Sequence, residues 1–481
     1  SVEDTYYMVS TTMHFMPGCE ILQSFDLVHW EHVTYVYETL DHTDAQQLKS
    51  GQNIYGQGMW AASLRYHEGR FYICFVANDT RKTYLYTSEK IDGPWKKQLI
   101  EGFYHDGSLL FDEDGRNYIV YGNDEIWITE LNEDLTAPKK DGLHRLLVSD
   151  HKNPELGYEG SHIQKINGYY YIFLVHSLRD RWMRTEACFY SDSLEGEFTG
   201  GDVLCDDRGY CGQGVAQGGI VDTPDGKWYA MLFQDSGAVG RIPILLPVTW
   251  KDHFPFFGQN GHVPEEIEVH STRPGYIYQP LVGSDDFCNG LLPRWQFNHD
   301  PDPRYYHLDA LQGTYTITTR EVCTELTQAV NTLTQRMSYP SCAAEVTVDA
   351  SALKEGDVAG LCALQSCYAA VGITKHHGKY EVLMLDKKED GILDMTEGTV
   401  VESHQMDFRL EADFCNMKDE ARCYYRVNKG DWLPIGNVHK LYFKLDHFTG
   451  CRFGLFCYAA EETGGSACFR DFKYYDVDEI S

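Results

Sequence analysis

The stretch INGYYYIFLV (residues 166–175) joins a tight Asn-Gly turn to an aromatic pair and an apolar run, the pattern of a hairpin feeding a buried strand. It occurs four more times, as VEDTYYMVS (2–10), HEGRFYICF (67–75), DEDGRNYIVY (112–121) and DGKWYAMLF (225–233). Tyr7, Tyr72, Tyr118, Tyr171 and Tyr229 mark one unit each, spaced 65, 46, 53 and 58 residues apart. Several units are followed by a second turn signal: SFDLVHW (24–30), TSEKIDGPW (87–95) and SDSLEGEF (191–198). Antiparallel units of this size bury their apolar faces only against one another, so five of them predict a five-bladed β-propeller. A β-sandwich with accidental internal similarity is the weaker alternative.

Working outward, the repeat stops after LLPVTW (245–250), and the Gly/Pro-bearing passage HSTRPGYIYQPLVGSDDF (270–287) follows. From about Asp285 the pattern becomes period-2, as in GTYTITTR, CAAEVTVDAS, AGLCALQ and CRFGLFCYAA. The expected organisation is all-β: a propeller over residues 1–280 and a β-sandwich over 281–481. No segment has convincing helical periodicity.

Composition narrows the function classes. The chain has 481 residues, with 33 Tyr, 23 Phe, 9 Trp and 43 Gly, which favours short strands and many turns. A net charge of −31 without a basic block excludes nucleic acid and anionic membranes as expected partners. No run of 18 apolar residues predicts a membrane span. The 15 cysteines are irregularly spaced, and several sit inside strand patterns, as Cys74 and Cys457 do. Buried free thiols fit this better than a disulfide framework, so a cytoplasmic location is favoured, with a secreted or periplasmic one left open because a natural N-terminus is not seen.

Ligand sites of propellers lie on the central axis, where inner strands converge. Asp106 stands just ahead of SLLF, and Glu159 stands in the matching place one unit later in LGYEGSHIQKI. Each alone could be a turn residue or a strand cap. Together they suggest an acidic pocket shared by adjacent inner strands.

The segments HDGSLLFDEDGRNYIVYG, EGSHIQKINGYYYIF, MWAASLRYHEGRFYICF and AQGGIVDTPDGKWYAM…GRIPILLPVTW resemble glycoside hydrolase family 43. The C-terminal LTQR, GDVAGL and FGLFCYAAEETGG resemble the concanavalin-like β-sandwich of that family's β-xylosidases. The resemblance implies an inverting exo-glycosidase that releases D-xylose from β-1,4-xylo-oligosaccharides and also L-arabinofuranose from arabinoxylan. A primary α-L-arabinofuranosidase and a non-catalytic sugar-binding propeller are the alternatives. Inversion uses one carboxylic acid and one carboxylate base roughly 6.5–9.5 Å apart.

By resemblance Glu159 is the general acid, and Asp106 is the carboxylate that raises the acid's pKa and orients the sugar. The family's base is an aspartate in a DPD-like motif before the first YY hairpin, which places it upstream of Ser1. Asp4 is expected on a turn facing away from the axis. Trp60 and Ala61 match a stacking wall, Arg241 matches an arginine that contacts sugar hydroxyls, and Met13 and His105 stand where many members carry Phe. Gln217 stands where many have a histidine, and its carbonyl could hold a hard cation on the axis. No cofactor is required. A structural calcium is admitted in the sandwich near Asp285, Asp286 and Asp471, and self-association stays open.

Overall fold

The computed structural model describes residues 1–396 and 398–476, and its regular structure is almost wholly β. The helical segments among the described residues are four 3₁₀ turns of three residues, so no helix there is long and apolar enough to cross a membrane.

Five antiparallel sheets form the blades. Blade I comprises Tyr6–Ser10, Gly18–Ser24 and Glu31–Tyr37, and blade II comprises Met59–His67, Arg70–Ala77, Lys82–Ser88 and Lys96–Ile100. Blade III comprises Ser108–Phe111, Asn117–Asn123, Glu125–Leu131 and His144–Ser149. Blade IV comprises Glu159–Ile166, Tyr169–Ser177, Arg184–Ser191 and Thr199–Leu204, and blade V comprises Ala216–Asp222, Trp228–Asp235, Arg241–Lys251 and Phe254–Phe257. Tyr72, Tyr118, Tyr171 and Tyr229 all lie on the second strand of their blade. Tyr7 lies on the first strand of the three-stranded blade I, so Tyr6–Ser10 is the counterpart of the other blades' second strands.

The repeat is legible because a second strand is covered on both faces. In Tyr169–Ser177, Ile172 and Leu174 pack with Tyr118 and Val120 of blade III, while Tyr171 and Phe173 pack with Leu232 and Leu246 of blade V. A strand buried on both faces reads as a continuous apolar run instead of an alternation. Cys74 and Leu85 meet Leu109 and Ile119 between blades II and III, Ile21 meets Phe75 and Tyr84 between I and II, and Tyr6 meets Tyr229 where V returns to I. All 15 cysteines are free and ten are buried, where the thiol serves as a small apolar group.

Two sheets enclose the second core. One runs Phe15–Met16, Gln296–Asn298, Leu333–Arg336, Arg452–Tyr458, Val358–Leu364, Ala369–His376, Lys379–Lys387 and Leu393–Met395, with Thr399–Val401 also on Lys379–Lys387. The other runs Tyr306–Asp309, Thr314–Thr318, Ser466–Asp476, Ser341–Asp349, Gln405–Asp413, Glu420–Val427 and Leu433–Lys440. Phe15–Met16 comes from the connection between two strands of blade I, yet it pairs with Gln296–Asn298. A division at residue 280 therefore misses one N-terminal strand of the sandwich sheet; two residues are too few to show a period.

This crossover packs histidines between the domains. His14, His299 and His447 are buried around Tyr55, with ring centroids 4.9 Å apart for His14–His299 and 5.5 Å for His14–His447. Burial lowers all three, His299 to about 3 and His447 to about 4, with neighbouring imidazoles and Arg452 adding to the effect and Asp446 opposing it at His447. These groups fold neutral and are protonated more readily when unfolded. Stability is therefore complete above about pH 6.5 and falls as pH drops toward 4, by up to about 1.4 kcal/mol per pH unit for each imidazole. Thermal melts of the protein and its His14→Gln variant between neutral pH and about pH 5 are expected to show a shallower loss in the variant. Equal slopes would remove His14 from this explanation.

Candidate active site

The inner strands of blades II to V open with the same irregularity. Register slips between Trp60 and Ser63, between Glu159 and His162, and between Ala216 and Gly219. In blade III, the Gly122 N–H donates to His105 C=O at 3.0 Å while Ser108 faces Val120, the same offset. The residue after the first is left-handed in every case: Ala61 (φ 37°), Asp106 (φ 48°), Gly160 (φ 67°) and Gln217 (φ 67°). Such bulges re-aim the side chains beside them.

This pattern corrects the matching of Asp106 with Glu159. Asp106 is the counterpart of Gly160, and His105 is the counterpart of both Trp60 and Glu159. The bulge keeps Asp106 at the cavity wall beside His105, with its side chain only 5% exposed.

Trp60, His105 and Glu159 line one cavity of about 1360 Å³ on the axis, together with Arg184 and Arg241. The sandwich reaches over its rim, where Phe443, Leu445 and Phe448 join the lining. Phe448 stands edge-on to Trp60 at 5.1 Å between ring centroids and 4.2 Å from the Arg241 guanidinium, whose other face covers Phe233 at 4.4 Å. Asp235 Oδ1 accepts from Arg241 Nε at 3.2 Å, and its Oδ2 accepts from Arg184 Nε at 3.1 Å. The aspartate thus fixes both guanidinium groups at the wall.

The acidic centre is tightly connected. Asp106 Oδ2 accepts from the Gly160 N–H at 2.9 Å, and Ser161 Oγ donates to Asp106 C=O at 2.7 Å. Glu159 Oε2 accepts from Asn123 Nδ2 at 2.8 Å. His105 Nε2 lies 3.4 Å from that same oxygen and 3.5 Å from Asp106 Oδ2. Burial pushes the Asp106 carboxyl up to about 6; His105 and the Gly160 N–H oppose this, and the Glu159 charge adds to it. Burial also works to raise Glu159, but the His105 hydrogen bond and charge, with Arg184 and Arg241, hold it below the usual carboxylate range. Burial disfavours a charged His105, yet the two carboxylates outweigh it and raise the imidazole to about 9.

Glu159, Asp106, His105, Trp60, Ala61 and Arg241 thus meet at one cavity. Met13 does not line it. Its backbone pairs with Met59, the side chain is fully buried, and its sulfur accepts from Thr449 Oγ1 at 3.5 Å, so it supports the rim from below. Gln217 borders the cavity, but its Oε1 faces Arg184 Nη1 at 3.4 Å, and a cation already at that oxygen opposes a second.

In the sandwich, Asp285 Oδ2 accepts from Trp295 Nε1 and Oδ1 from the Phe287 N–H, both at 2.8 Å, while Asp286 Oδ1 accepts from the Cys288 N–H at 2.9 Å. These carboxylates secure a turn. Among the described residues, only His105, Asp106 and Glu159 bring three His, Cys, Asp or Glu donor atoms within 4.8 Å of one another. Asp4 sits in a turn, paired with Arg273 at 2.6 and 2.9 Å and away from the cavity. The contributions of Asn123, Arg184, Asp235 and Phe448 were not legible in the sequence: each depends on strand pairings or a domain contact that no local motif announces.

The model of glycosyl hydrolases family 43 matches residues 1–255, and that of the β-xylosidase C-terminal concanavalin A-like domain matches residues 284–475. A β-xylosidase of Formosa agariphila is 26% identical over 99% of this chain and 86% of its own. A non-reducing end α-L-arabinofuranosidase of Bacteroides ovatus, BoGH43B, is 23% identical over 82% of this chain and 77% of its own. Among solved structures, a bifunctional GH43-CE protein of Bacteroides eggerthii superposes with a TM-score of 0.91 at 42% identity, covering 99% of this chain. This chain spans 62% of that bifunctional protein. The repeat, the axial acids and the domain pairing have one common explanation: the chain belongs to glycosyl hydrolase family 43.

Proposed function

We propose that this glycosidase is an inverting exo-enzyme that removes one pentose at a time from the non-reducing end of xylan-derived chains, with β-D-xylose the preferred sugar. The observation that carries this reading is the axial cavity holding Glu159 and Asp106 and covered on one side by Phe448 of the sandwich. A cavity with one covered side takes a chain end more readily than a chain middle. The C-terminal domain matches that of β-xylosidases, and the similar Formosa agariphila protein bears a β-xylosidase name.

In this reading Glu159 protonates the departing oxygen, so it must carry a proton when the bond breaks. Asp106, beside it, disfavours a second negative charge and so favours that proton. Trp60 offers an indole face to the sugar's C–H surface, and Arg241, held by Asp235 between two phenylalanines, donates to hydroxyls. The reaction also needs a carboxylate to activate water. By family resemblance that group is an aspartate preceding the first hairpin, and Asp4, bound to Arg273, does not take its place.

L-Arabinofuranose in α linkage is the second sugar considered, a reading favoured by the similarity to the arabinofuranosidase BoGH43B. Incubation of the intact protein with 4-nitrophenyl β-D-xyloside, 4-nitrophenyl α-L-arabinofuranoside and xylo-oligosaccharides tests the proposal. Release of free xylose, shortening each oligosaccharide by one unit, is expected. Internal cleavage without free pentose would contradict it.

A further inference from the structure

The geometry points to His105 as the proton partner of Glu159: the imidazole Nε2 and the carboxylate Oε2 share one proton, and that proton is the one given to the departing oxygen. This rests on the glycosidase reading above.

Three independent features carry it. The repeated bulge puts His105 at the position in blade III that Glu159 holds in blade IV, so both side chains are aimed into the same cavity. Nε2 faces two carboxylates at 3.4 and 3.5 Å, with its side chain only 22% exposed. Glu159 is itself held by Asn123, so the imidazole and the carboxyl are kept in reach of each other.

The charges around the pair come from every side. Asp106 lies beside it on blade III, Arg184 and Arg241 approach Glu159 from blades IV and V, and Arg81 on blade II opposes the imidazolium. Asp235 neutralises part of the two arginines. The balance leaves His105 charged up to about 9 and Glu159 ionised, so the two groups together keep one proton across the neutral range.

A general acid held as a carboxylate has no proton to give, and His105 resolves the conflict. The Nε2–H bond breaks with its electron pair left on nitrogen as the Oε2–H bond forms on Glu159. That O–H bond then breaks as the departing oxygen takes the proton together with the electron pair of the C1–O bond. Water adds to C1 and gives its proton to a carboxylate base, and His105 is recharged from solvent. Coupled groups lose such a proton as a unit, so the pair's last proton sets the basic limb of the rate profile.

The test compares the intact protein with His105→Phe and His105→Gln on two aryl xylosides. 4-Nitrophenol needs protonic help to leave; 2,4-dinitrophenol needs much less. In both variants the basic limb of kcat/KM is expected to move down by about one pH unit or more. At about pH 8, kcat should fall about tenfold or more on the 4-nitrophenyl substrate and change little on the dinitrophenyl one. Equal losses on both substrates, or a His105→Gln variant with the original limb, would show that His105 only packs or donates a fixed hydrogen bond and would overturn the proposal.

A second readout does not depend on turnover. The His105 ring titration followed by NMR is expected near 9 in the intact protein and at least about one pH unit lower in Glu159→Gln. An unmoved titration overturns the shared proton. If neither glycoside is cleaved but the titration moves, the proton sharing stands and it is the functional reading that fails.

Discussion

Replacing Glu159 with alanine is expected to slow hydrolysis of 4-nitrophenyl β-D-xyloside by about 10²- to 10⁴-fold, the span that one positioned acid or base contributes. The loss should lie in kcat, because the proton is given only as the C–O bond breaks. It should shrink when the leaving group is 2,4-dinitrophenol, which departs without full protonation. The fold should survive, since Glu159 Oε2 contacts only side chains at the cavity, Asn123 and His105. Near-normal turnover on 4-nitrophenyl xyloside would remove Glu159 as the acid.

Asp106→Asn is the second large effect, and its signature is a split between activity and stability. The amide keeps an acceptor for the Gly160 N–H but removes the charge that favours a proton on the Glu159–His105 pair. We expect kcat to fall by about 10²-fold or more and the basic limb to move to lower pH. Stability should move the other way. The Asp106 carboxyl titrates near 6 when folded against 3.8 when unfolded, so the folded state binds the extra proton within that window. Stability therefore falls as pH rises through the window, and above it the buried charge costs about 3 kcal/mol, an order-of-magnitude figure. At neutral pH the variant should melt at or above the parent temperature while losing activity. A variant that is both inactive and less stable would mean that Asp106 mainly holds the fold.

The parts of the fold that were legible in the sequence are those whose burial is symmetric. Second strands such as Tyr169–Ser177 are covered by a blade on each side, so turn, aromatic pair and apolar run recur with little variation. Phe15–Met16 was illegible because two residues carry no period and their partner, Gln296–Asn298, lies far along the chain. At the site, Glu159, Trp60 and Arg241 stood out through motifs that survive on a single strand. The relation between His105 and Asp106 did not. Position relative to the repeat matches Asp106 with Glu159, and only the bulge shows that the preceding histidine takes the acid's position while the aspartate takes the left-handed place after it. Met13 went wrong for a similar reason: a left-handed backbone at φ 52° and a bridge to Met59 turn it under the rim instead of into the cavity.

The most direct test of the central claim is the anomeric form of the first sugar released. An acid on one face and an activated water on the other invert the anomeric carbon. Proton NMR during hydrolysis of 4-nitrophenyl β-D-xyloside by the intact protein is therefore expected to show α-xylose first, with the β-anomer rising only by mutarotation. β-Xylose as the first product would contradict the account, because it requires a covalent sugar–enzyme intermediate for which these residues have no assigned role.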